Sequence, residues 1–411
     1  MLARRATLVR ASRGQPVRCR SERREAGTPP SSERGPSGPA RSAENGEYVD
    51  PVMPALDGAS VAGLVPSLFG RADDGWIPEP ARSADAVVLL VLDGLGWSAV
   101  QDHAALMPNL TALEGGPITT VAPSTTATAL TSISTGLPPA RHGIVGYRML
   151  VDGHVLNVLR WTVGGRERPP EPFDVQRHAP FFDREVPVVT RSEFRDTGFT
   201  QAHLRGGRML GWLTVAGLVE LSVRAVEAGE KFVYAYYPGV DTIAHEFGLH
   251  ERVFTRELRF VDSLVSEFVD SLPSSAALLI TSDHGQIHLD DTSWIDIPEL
   301  VSLSTHVAGD GRFRYLYADP ENRKELLGRA REVCSDRAWV WSRAELLEMG
   351  VLGDGATGTV PGRVGSVVLA AREPVAFVDP ALPNERNLRS GHGSLTPDEM
   401  YVPLLATRGR A

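Results

Sequence analysis

Carboxylate and imidazole side chains, which bind divalent metal ions, recur in this chain, mostly just after apolar runs typical of buried strands. The six residues are Asp93, Asp241, His245, Asp283, His284 and His392. A carboxylate at the end of a buried strand is costly to desolvate, and either metal binding or capping of the next helix offsets that cost. The spacing of four between Asp241 and His245 puts both on one helical face, near enough to bind one ion. Taken singly, each residue also fits an ordinary role as a helix cap, a surface histidine or part of a glycine-rich loop.

A segment rich in Ser and Thr, residues 122–136, carries hydroxyl groups that could act as a nucleophile. Its small residues after Pro123 predict a loop that enters a tightly packed helix ending at Gly136. A hydroxyl at the start of such a helix meets free backbone N–H groups and the positive end of the helix dipole, a combination that binds phosphate. A threonine hydroxyl becomes a nucleophile only when a metal or a base takes its proton. The alternative is a Ser/Thr-rich capping loop without chemistry.

Together these segments supply three carboxylates, three imidazoles and one hydroxyl. They divide into two groups of three ligands, enough for two metal ions ~4 Å apart that clamp the attacking and leaving oxygens of an in-line displacement. The residues therefore predict a two-metal centre.

Alternating strands and helices must position these side chains. Continuous apolar runs predict four strands, Ala86–Leu92, Lys231–Tyr237, Ala276–Ser282 and Val364–Ala371. Helical periodicity covers Leu210–Val226 and Arg252–Leu272. This order predicts an α/β fold with a mostly parallel central sheet and with functional groups at the carboxyl ends of its strands.

Two further segments do not follow the strand–helix alternation of the predicted central sheet. Residues 147–161 predict a hairpin that turns at Asp152-Gly153. Residues 301–363 predict a small inserted α+β cap with the order strand, helix, strand, helix, namely Arg312–Ala318, Glu321–Cys334, Ala338–Trp341 and Arg343–Met349. We therefore expect a catalytic domain made of residues 51–300 and 364–411, interrupted by this cap.

The N-terminal residues 1–50 are rich in Arg, Ser, Pro and Gly and show no apolar periodicity. Such a segment cannot bury enough apolar surface to offset its ordering entropy, so we expect a disordered tail. Arg4-Arg5 suggests a twin-arginine export signal as an alternative, but the required apolar stretch does not follow.

Composition excludes several classes of protein. The chain has 411 residues and a net charge of −9, which is unfavourable for binding duplex nucleic acid. Its longest apolar run, Ala86–Leu92, is far shorter than the ~20 residues needed to span a bilayer. Its two cysteines, Cys19 and Cys334, fit a reducing compartment and predict a cytoplasmic protein.

The order of the motifs resembles that of the alkaline phosphatase superfamily, and within it the type I phosphodiesterase/nucleotide pyrophosphatase family. The motifs are VLDG, a Thr-rich helix ending in TG with PxxHGI beyond it, DxxxH, SDHG and GHG, and they extend over roughly residues 85–408. The resemblance implies an alkaline-phosphatase-like sheet with helices on both faces. It also implies that the substrate is a small-molecule phosphoester.

The resemblance also implies roles for individual residues. In the family the nucleophile lies ten residues before the Gly of its TG pair, which selects Thr126 over Thr125. Two zinc ions are implied, the first held by Asp93, Asp283, His284 and Thr126, the second by Asp241, His245 and His392. Manganese or iron could replace zinc where more available.

Two departures from related patterns bear on the reaction. Diesterase members carry Asn a few residues after HGI to contact a phosphoryl oxygen, and this chain has Tyr147 there, a hydrogen-bond donor that fills more space. The Cys or Ser motif of sulfatases is missing from the nucleophile helix. We therefore expect a hydrolase that acts on nucleotide-like phosphodiesters or pyrophosphates through a phospho-threonine intermediate. The alternatives are a phosphomonoesterase or phosphomutase of the same superfamily, and a non-catalytic descendant that binds a partner.

Overall fold

A seven-stranded sheet forms the centre of the structure, a computed structural model that describes residues 50–164 and 168–411. The strands are β1 Ala86–Leu92, β2 Glu114–Thr119, β3 Arg148–Val151, β4 His154–Asn157, β5 Thr162–Val163, β6 Pro187–Arg191, β7 Arg208–Trp212, β8 Phe232–Tyr237, β9 Ala276–Thr281, β10 Ile287–His288, β11 Trp294–Ile295, β12 His306–Gly309, β13 Phe313–Tyr317, β14 Ala338–Ser342, β15 Val367–Ala371, β16 Ala376–Phe377, β17 Ser390–Gly391 and β18 Tyr401–Arg408. The α-helices are α1 Leu64–Leu68, α2 Glu79–Arg82, α3 Trp97–Asp102, α4 Pro108–Thr111, α5 Thr126–Thr135, α6 Pro139–His142, α7 Pro172–Val175, α8 Gly198–His203, α9 Val215–Glu227, α10 Gly239–Phe247, α11 Arg252–Ser271, α12 Pro298–Ser302, α13 Arg323–Cys334, α14 Arg343–Glu348, α15 Val360–Arg363 and α16 Pro397–Met400.

The central sheet is mostly parallel, as predicted. Its strand order is β2-β18-β9-β1-β8-β6-β7. Strands β9, β1, β8, β6 and β7 pair in parallel, and β18 runs antiparallel to both of its neighbours, β9 and β2. The carboxyl ends of β8, β1 and β9 therefore meet side by side at one edge of the sheet.

Both faces of the sheet are covered by helices, which explains why β1 is an uninterrupted apolar run. Alternate side chains of β1 enter two different cores. Val87, Leu89 and Val91 pack in the core that includes residues of α5, and Val88 and Leu90 pack in the core that includes residues of α9 and α11. The predicted helices on both faces are confirmed.

A second, antiparallel sheet has the order β12-β13-β15-β14 and packs with α13 and α14. The predicted strand–helix–strand–helix order of the cap matches β13, α13, β14 and α14, whereas β12 was not anticipated. Because β15 pairs with β13 and β14, this sheet extends to Ala371, whereas the sequence predicts a cap that ends at residue 363. The run Val364–Ala371 was read as apolar and buried, which β15 confirms, but burial alone does not reveal which sheet a strand joins.

A buried ion pair ties the second sheet to the main sheet. Arg312, in the turn between β12 and β13, donates from Nε and Nη2 to the two carboxylate oxygens of Glu399 at 2.8 and 2.7 Å. Glu399 lies in α16, just before the last strand of the central sheet. Because both side chains are buried, removal of one partner would leave the other charge without compensation.

One helix prediction was partly wrong. The helix expected over Leu210–Val226 begins only at Val215, because Arg208–Trp212 forms the edge strand β7. Leu210 and Trp212 are apolar and two residues apart, a spacing that also fits a strand. Pairing with β6 makes this segment a strand rather than the start of the helix. The hairpin turning at Asp152-Gly153 is confirmed, since β3 and β4 pair and both turn residues have positive φ.

Predictions about residues 1–50, including the disordered tail, Arg4-Arg5 and Cys19, lie almost entirely outside the described residues, which begin at residue 50. Within the described part of the chain, none of the helices combines the length and hydropathy needed to cross a membrane.

Candidate metal centre and nucleophile

The three predicted carboxylate ligands lie at the carboxyl edge of three neighbouring strands. Asp93 directly follows β1, Asp283 comes two residues after β9, and Asp241 lies in the first turn of α10, which follows β8. The turn after β1 requires Gly94, because its φ is +76° and a Cβ there would approach a side-chain atom of Asp241 to 2.8 Å. The strand ends and this close turn bring the three carboxylates together.

The first group of candidate ligands consists of Asp93, Asp283 and His284. Their ligand atoms lie within 4.8 Å of one another. The His284 Nε2 atom is 3.5 Å from Asp93 Oδ1 and 3.5 Å from Asp283 Oδ2. The Thr126 Oγ1 atom lies 3.1 Å from the same His284 nitrogen. The predicted nucleophile therefore adjoins the first ligand group.

Each carboxylate of this group has one oxygen held by the protein and one without a partner. Asp283 Oδ1 accepts hydrogen bonds from the backbone N–H groups of Gly94 and His284 at 3.0 and 3.1 Å. Asp93 Oδ2 accepts one from the Tyr236 hydroxyl. The other oxygens, Asp93 Oδ1 and Asp283 Oδ2, are buried without a hydrogen-bond partner in the described structure. A buried carboxylate oxygen left in this way is costly unless a cation binds it.

The second group consists of Asp241, His245 and His392. The Asp241 Oδ1 atom is 3.3 Å from His245 Nε2 and 3.9 Å from His392 Nε2, and it too is buried without a hydrogen-bond partner among described residues. The ligand atoms of Asp241 and His392 also lie within 4.8 Å of that of His284. The two groups are therefore adjacent.

Backbone carbonyl groups fix the orientation of all three imidazoles. The Nδ1 atoms of His284, His245 and His392 lie 3.0, 3.1 and 3.0 Å from the carbonyl oxygens of Gly285, Ser390 and Ser124, respectively. A carbonyl oxygen only accepts, so each Nδ1 carries the proton and each Nε2 presents a lone pair. Metal-binding histidines in proteins show this arrangement.

The lone pairs of two of these imidazoles face each other. His245 Nε2 and His392 Nε2 are 3.2 Å apart. With both protons on Nδ1, neither nitrogen can donate to the other, and a cation between them resolves the repulsion. The donor set, the unpartnered carboxylate oxygens and these facing lone pairs all fit divalent metal ions.

Burial and neighbouring charges shift the pKa values of Asp93 and His392 so that both side chains favour their neutral forms. Burial, together with the Asp283 and Asp241 carboxylates, raises the pKa of Asp93 well above its ordinary value. Burial, together with the His284 and His245 imidazoles, lowers the pKa of His392 well below its ordinary value. The protein without a cation therefore disfavours a second negative charge beside Asp283 and keeps His392 neutral.

Helix α5 begins at Thr126, and Thr125 is its N-cap residue. The helix ends at Gly136, whose φ of +66° is the left-handed conformation predicted for that glycine. The Thr125 hydroxyl does not cap the helix and instead donates to Asp310 Oδ1 at 3.2 Å. Of the two neighbouring threonines, Thr126 faces the ligand group and Thr125 faces the second sheet.

Two cavities adjoin Thr126 and Asp241. The first, here called the Trp294 cavity, is about 250 Å³ in volume, and its walls include Tyr147, Trp294, Asp310 and His392. The second, here called the Phe199 cavity, is about 300 Å³, and its walls are mainly apolar and aromatic: Phe194, Phe199, Leu204, Tyr234 and Tyr236.

Tyr147, predicted to contact substrate, lines the Trp294 cavity. Its hydroxyl accepts a hydrogen bond from Asn157 Nδ2 at 2.7 Å, which leaves its own O–H as a donor. Burial raises the pKa of Tyr147, so the hydroxyl keeps its proton.

The aromatic residues Trp161 and Trp212 lie buried in the cores and line neither cavity.

Sequence reasoning missed Tyr236 and Asp310. Tyr236 was included in the β8 run as an apolar residue, although a tyrosine next to the end of a buried strand needs a partner for its hydroxyl. Asp310 lies in a Gly-Asp-Gly turn, a signal that predicts a hairpin but not where the turn points.

Comparison with known proteins identifies the family. The family model described as type I phosphodiesterase/nucleotide pyrophosphatase matches residues 87–214 and 174–395, more than half of the chain. No curated protein sequence matches the chain significantly.

Solved structures of low sequence identity share the fold. Murine ectonucleotide pyrophosphatase/phosphodiesterase 5 superposes with a TM-score of 0.60 at 16% identity, over 79% of this chain and 88% of the murine chain. Phosphonoacetate hydrolase from Sinorhizobium meliloti 1021, in complex with phosphonoformate, gives 0.59 at 19% identity, over 80% and 91% of the two chains. The human counterpart of the murine protein gives 0.56 at 15% identity, over 79% and 88%. The chain belongs to the type I phosphodiesterase/nucleotide pyrophosphatase family of the alkaline phosphatase superfamily, a family of hydrolases that cleave phosphoric ester and anhydride bonds.

Proposed function

We propose that this protein is a two-metal phosphoester hydrolase that uses Thr126 as its nucleophile and acts on nucleotide-like phosphodiesters or pyrophosphates. The observation that carries the proposal is the convergence of three unpartnered carboxylate oxygens and three oriented imidazole nitrogens beside the first residue of α5. A binding protein without catalysis would have no need of this complete set.

Two triads of residues would hold the metal ions. Asp93, Asp283 and His284 would hold one ion with Thr126, and Asp241, His245 and His392 would hold the other. Mixed carboxylate and imidazole ligands suit zinc, with manganese or iron as alternatives. When bound, divalent cations neutralise charge on the phosphoryl oxygens and lower the pKa of a coordinated hydroxyl.

Thr126 performs the covalent step. Its Oγ1 atom forms a bond to phosphorus while the bond from phosphorus to the leaving oxygen breaks. The hydroxyl proton passes to solvent water, and the leaving oxygen departs with the electron pair of the broken bond and takes up a proton from water. Hydrolysis of the resulting phospho-threonine by water restores the hydroxyl and releases the second product. The N-terminus of α5 supports this step, because its free N–H groups and its dipole stabilise negative charge on the transferred group.

The two cavities support a substrate with two groups on phosphorus. A monoester carries one organic group, whereas a diester or pyrophosphate carries a substituent on each side. The Trp294 and Phe199 cavities both include Thr126 in their walls, so each could receive one substituent. One structure of the murine relative contains AMP, which supports a nucleotide-like group on one side. A phosphomonoesterase or phosphomutase would leave one of the two cavities without a role.

The test combines metal analysis with a substrate panel. Protein purified with zinc should bind about two ions per chain, and Asp241→Asn and His284→Ala should each lose at least one, because each removes a ligand. His250→Ala, a change at an exposed histidine, is the matched control and should keep both ions. Turnover of bis-p-nitrophenyl phosphate should exceed that of p-nitrophenyl phosphate, and ATP should be tested as a pyrophosphate substrate.

Unchanged metal content in both ligand variants would overturn the metal assignment. Preference for the monoester would favour the phosphomonoesterase alternative, and the absence of turnover by the metal-loaded protein would favour the binding descendant. We also infer a cytoplasmic location, supported by the low cysteine content and by the free, buried thiol of Cys334.

A further inference from the structure

A buried carboxylate that belongs to neither ligand group lines the Trp294 cavity. Asp310 lies in the turn between β12 and β13 and is only 8% exposed. Its Oδ1 accepts a hydrogen bond from the Thr125 hydroxyl at 3.2 Å, and its Oδ2 accepts one from the backbone N–H of Tyr147 at 3.4 Å. The second sheet thus places a carboxylate beside the residue that precedes the nucleophile.

Among the described residues, no basic side chain forms an ion pair with Asp310. Arg312 is saturated by Glu399 and by the carbonyl oxygens of residues 371, 373 and 375. Arg314 donates to Glu385 at 2.7 Å and to the carbonyl oxygens of Phe377 and Gly309. The cavity has two other acids: Glu385, which pairs with Arg314, and Asp241, which belongs to the second ligand group. The Arg314 charge and the two hydrogen bonds to Asp310 favour its ionised form, but burial outweighs them and raises the pKa of Asp310 to about 7. When ionised, Asp310 therefore places a negative charge on the cavity wall without an ion-pair partner among the described residues.

That charge distinguishes between classes of phosphoester. Above neutral pH a phosphate monoester is mostly a dianion, because its second pKa is about 6. A diester carries a single negative charge. Coulomb repulsion at short range in a partly buried site scales with the charge of the substrate, so the carboxylate penalises the dianion more than the monoanion.

We infer that Asp310 is a specificity residue that disfavours dianionic phosphate monoesters and thereby selects substrates whose transferred phosphoryl group carries one negative charge. The inference rests on the proposed function and deepens it, because it names the charge class of the substrate. It also assigns a role to the second sheet, which supplies Asp310 but none of the six metal-ligand candidates.

The test compares neutral variants of Asp310 with variants that keep its charge. Asp310→Asn preserves shape, and rotation of the Thr125 hydroxyl lets it accept from the new amide while the amide oxygen accepts from Tyr147. Asp310→Ser is a second neutral variant in case Asn is not tolerated. Asp310→Glu keeps the charge, and Thr125→Val removes the hydrogen bond to Asp310 but keeps the carboxylate.

Metal-loaded proteins are assayed at pH 8.5, where Asp310 is ionised although burial raises its pKa to about 7. The readouts are kcat/KM for p-nitrophenyl phosphate and for bis-p-nitrophenyl phosphate, and inhibition by inorganic phosphate. In a neutral variant the monoester-to-diester ratio of kcat/KM should rise about tenfold or more, and phosphate should inhibit more strongly. The ratio should stay at the wild-type value in Asp310→Glu and in Thr125→Val, even if both activities fall together.

An unchanged ratio in folded, metal-loaded Asp310→Asn or Asp310→Ser would overturn the inference. A Thr125→Val protein with the same rise in ratio would also overturn it, because Asp310 would then act only by positioning Thr125. Failure of the proposed function gives a different result, because it is seen in the wild-type protein, which would then hydrolyse neither substrate or would prefer the monoester.

Discussion

At the scale of single residues, the site depends on which atom of each side chain is already bonded. Asp283 has one oxygen bound by two N–H groups and the other unpartnered, and each imidazole has its Nδ1 bound to a carbonyl oxygen. Asp93, Asp283 and the three imidazoles thus each have one atom oriented by a hydrogen bond and another that is available to a cation. The same logic separates two adjacent threonines, because Thr126 Oγ1 lies beside His284 whereas the Thr125 hydroxyl is engaged by Asp310.

The first prediction concerns the nucleophile. Thr126→Ala should reduce turnover of the diester by about a hundredfold or more, with slow direct attack by water as the residual activity. Thr125→Ala should lose less, and Thr126→Ser should retain partial activity because it keeps the oxygen. Intact-protein mass spectrometry after rapid quenching should detect a phosphorylated species in the wild type but not in Thr126→Ala.

All three variants must first be shown to be folded and metal-loaded. An active Thr126→Ala beside an inactive Thr125→Ala would place the nucleophile one residue earlier. Full activity in both would exclude covalent catalysis at α5.

At the scale of elements, α5 is unusual because all ten of its residues are buried although six are Ser or Thr. Several of their hydroxyls bond back to carbonyl groups of the same helix, for example Thr131 to Ala127 at 2.7 Å. Ser132 instead contacts His142 Nε2 at 2.9 Å, and His142 Nδ1 accepts the N–H of Ile144 at 3.1 Å. His142 therefore joins α5 to α6 as a neutral imidazole with its proton on Nε2.

The second prediction is a pH dependence that arises from this junction. Burial lowers the pKa of His142 to about 3, below its ordinary value of 6.5. The folded state thus binds fewer protons than the unfolded state between these values, so the contribution of His142 is complete above pH 6.5 and declines as the pH falls towards 3. The free energy of unfolding, from chemical denaturation at a series of pH values, should fall on acidification by up to about 1.4 kcal/mol per pH unit from this group.

His142→Gln should be less stable than wild type at pH 7 by about 1–3 kcal/mol and should show a shallower pH slope below 6.5. His154→Ala, a change at an exposed histidine, should keep the wild-type slope. Part of the slope should persist in His142→Gln, because burial also lowers the pKa of His203, to about 4. An identical slope in wild type and His142→Gln would contradict the assignment.

At the scale of the whole molecule, distant parts of the sequence meet around the central sheet. The segment just before the first helix is anchored by hydrogen bonds from the Val52 N–H to the Leu395 carbonyl and from the Ala55 N–H to Thr119 Oγ1, both 2.9 Å. The turn of the second sheet is anchored by the Arg312–Glu399 pair. Packing of the core therefore extends to about residue 52.

The third prediction concerns truncation. Deletion of residues 1–50 should leave the melting temperature and the diesterase activity essentially unchanged, because that segment has no apolar pattern with which to join a core. Deletion of residues 1–60 should lower the melting temperature, since it removes the bonds made by Val52 and Ala55. Differential scanning fluorimetry with and without zinc measures the melting temperatures of both truncated proteins, and turnover of bis-p-nitrophenyl phosphate measures the diesterase activity. A large loss on the shorter deletion would show that the N-terminal segment contributes to the fold.

The sequence by itself determined the strands of the central sheet and the residues at their ends. A fully buried parallel strand must be apolar throughout, so β1, β8 and β9 were found within one residue at either end. The carboxylates that follow these runs, Asp93, Asp241 and Asp283, were visible as candidate ligands. The resemblance to the family selected Thr126 through its ten-residue spacing to Gly136, and the structure has this residue at the start of α5. Their roles in metal binding and catalysis remain predictions, although the structure brings these side chains together.

Only the tertiary structure decided which strands pair and which turns reach the site. The residues of β7 fit either a helix or a strand until β6 provides a partner, and β15 is equally apolar whichever sheet it joins. Asp310 is 185 residues from Thr125 in sequence, and its turn is locally indistinguishable from any exposed Asp-Gly turn. Local patterns report burial and backbone conformation because these are set by neighbouring residues. Contacts such as those of Asp310 and Tyr236 form only when remote segments are packed together, so no periodicity or spacing encodes them.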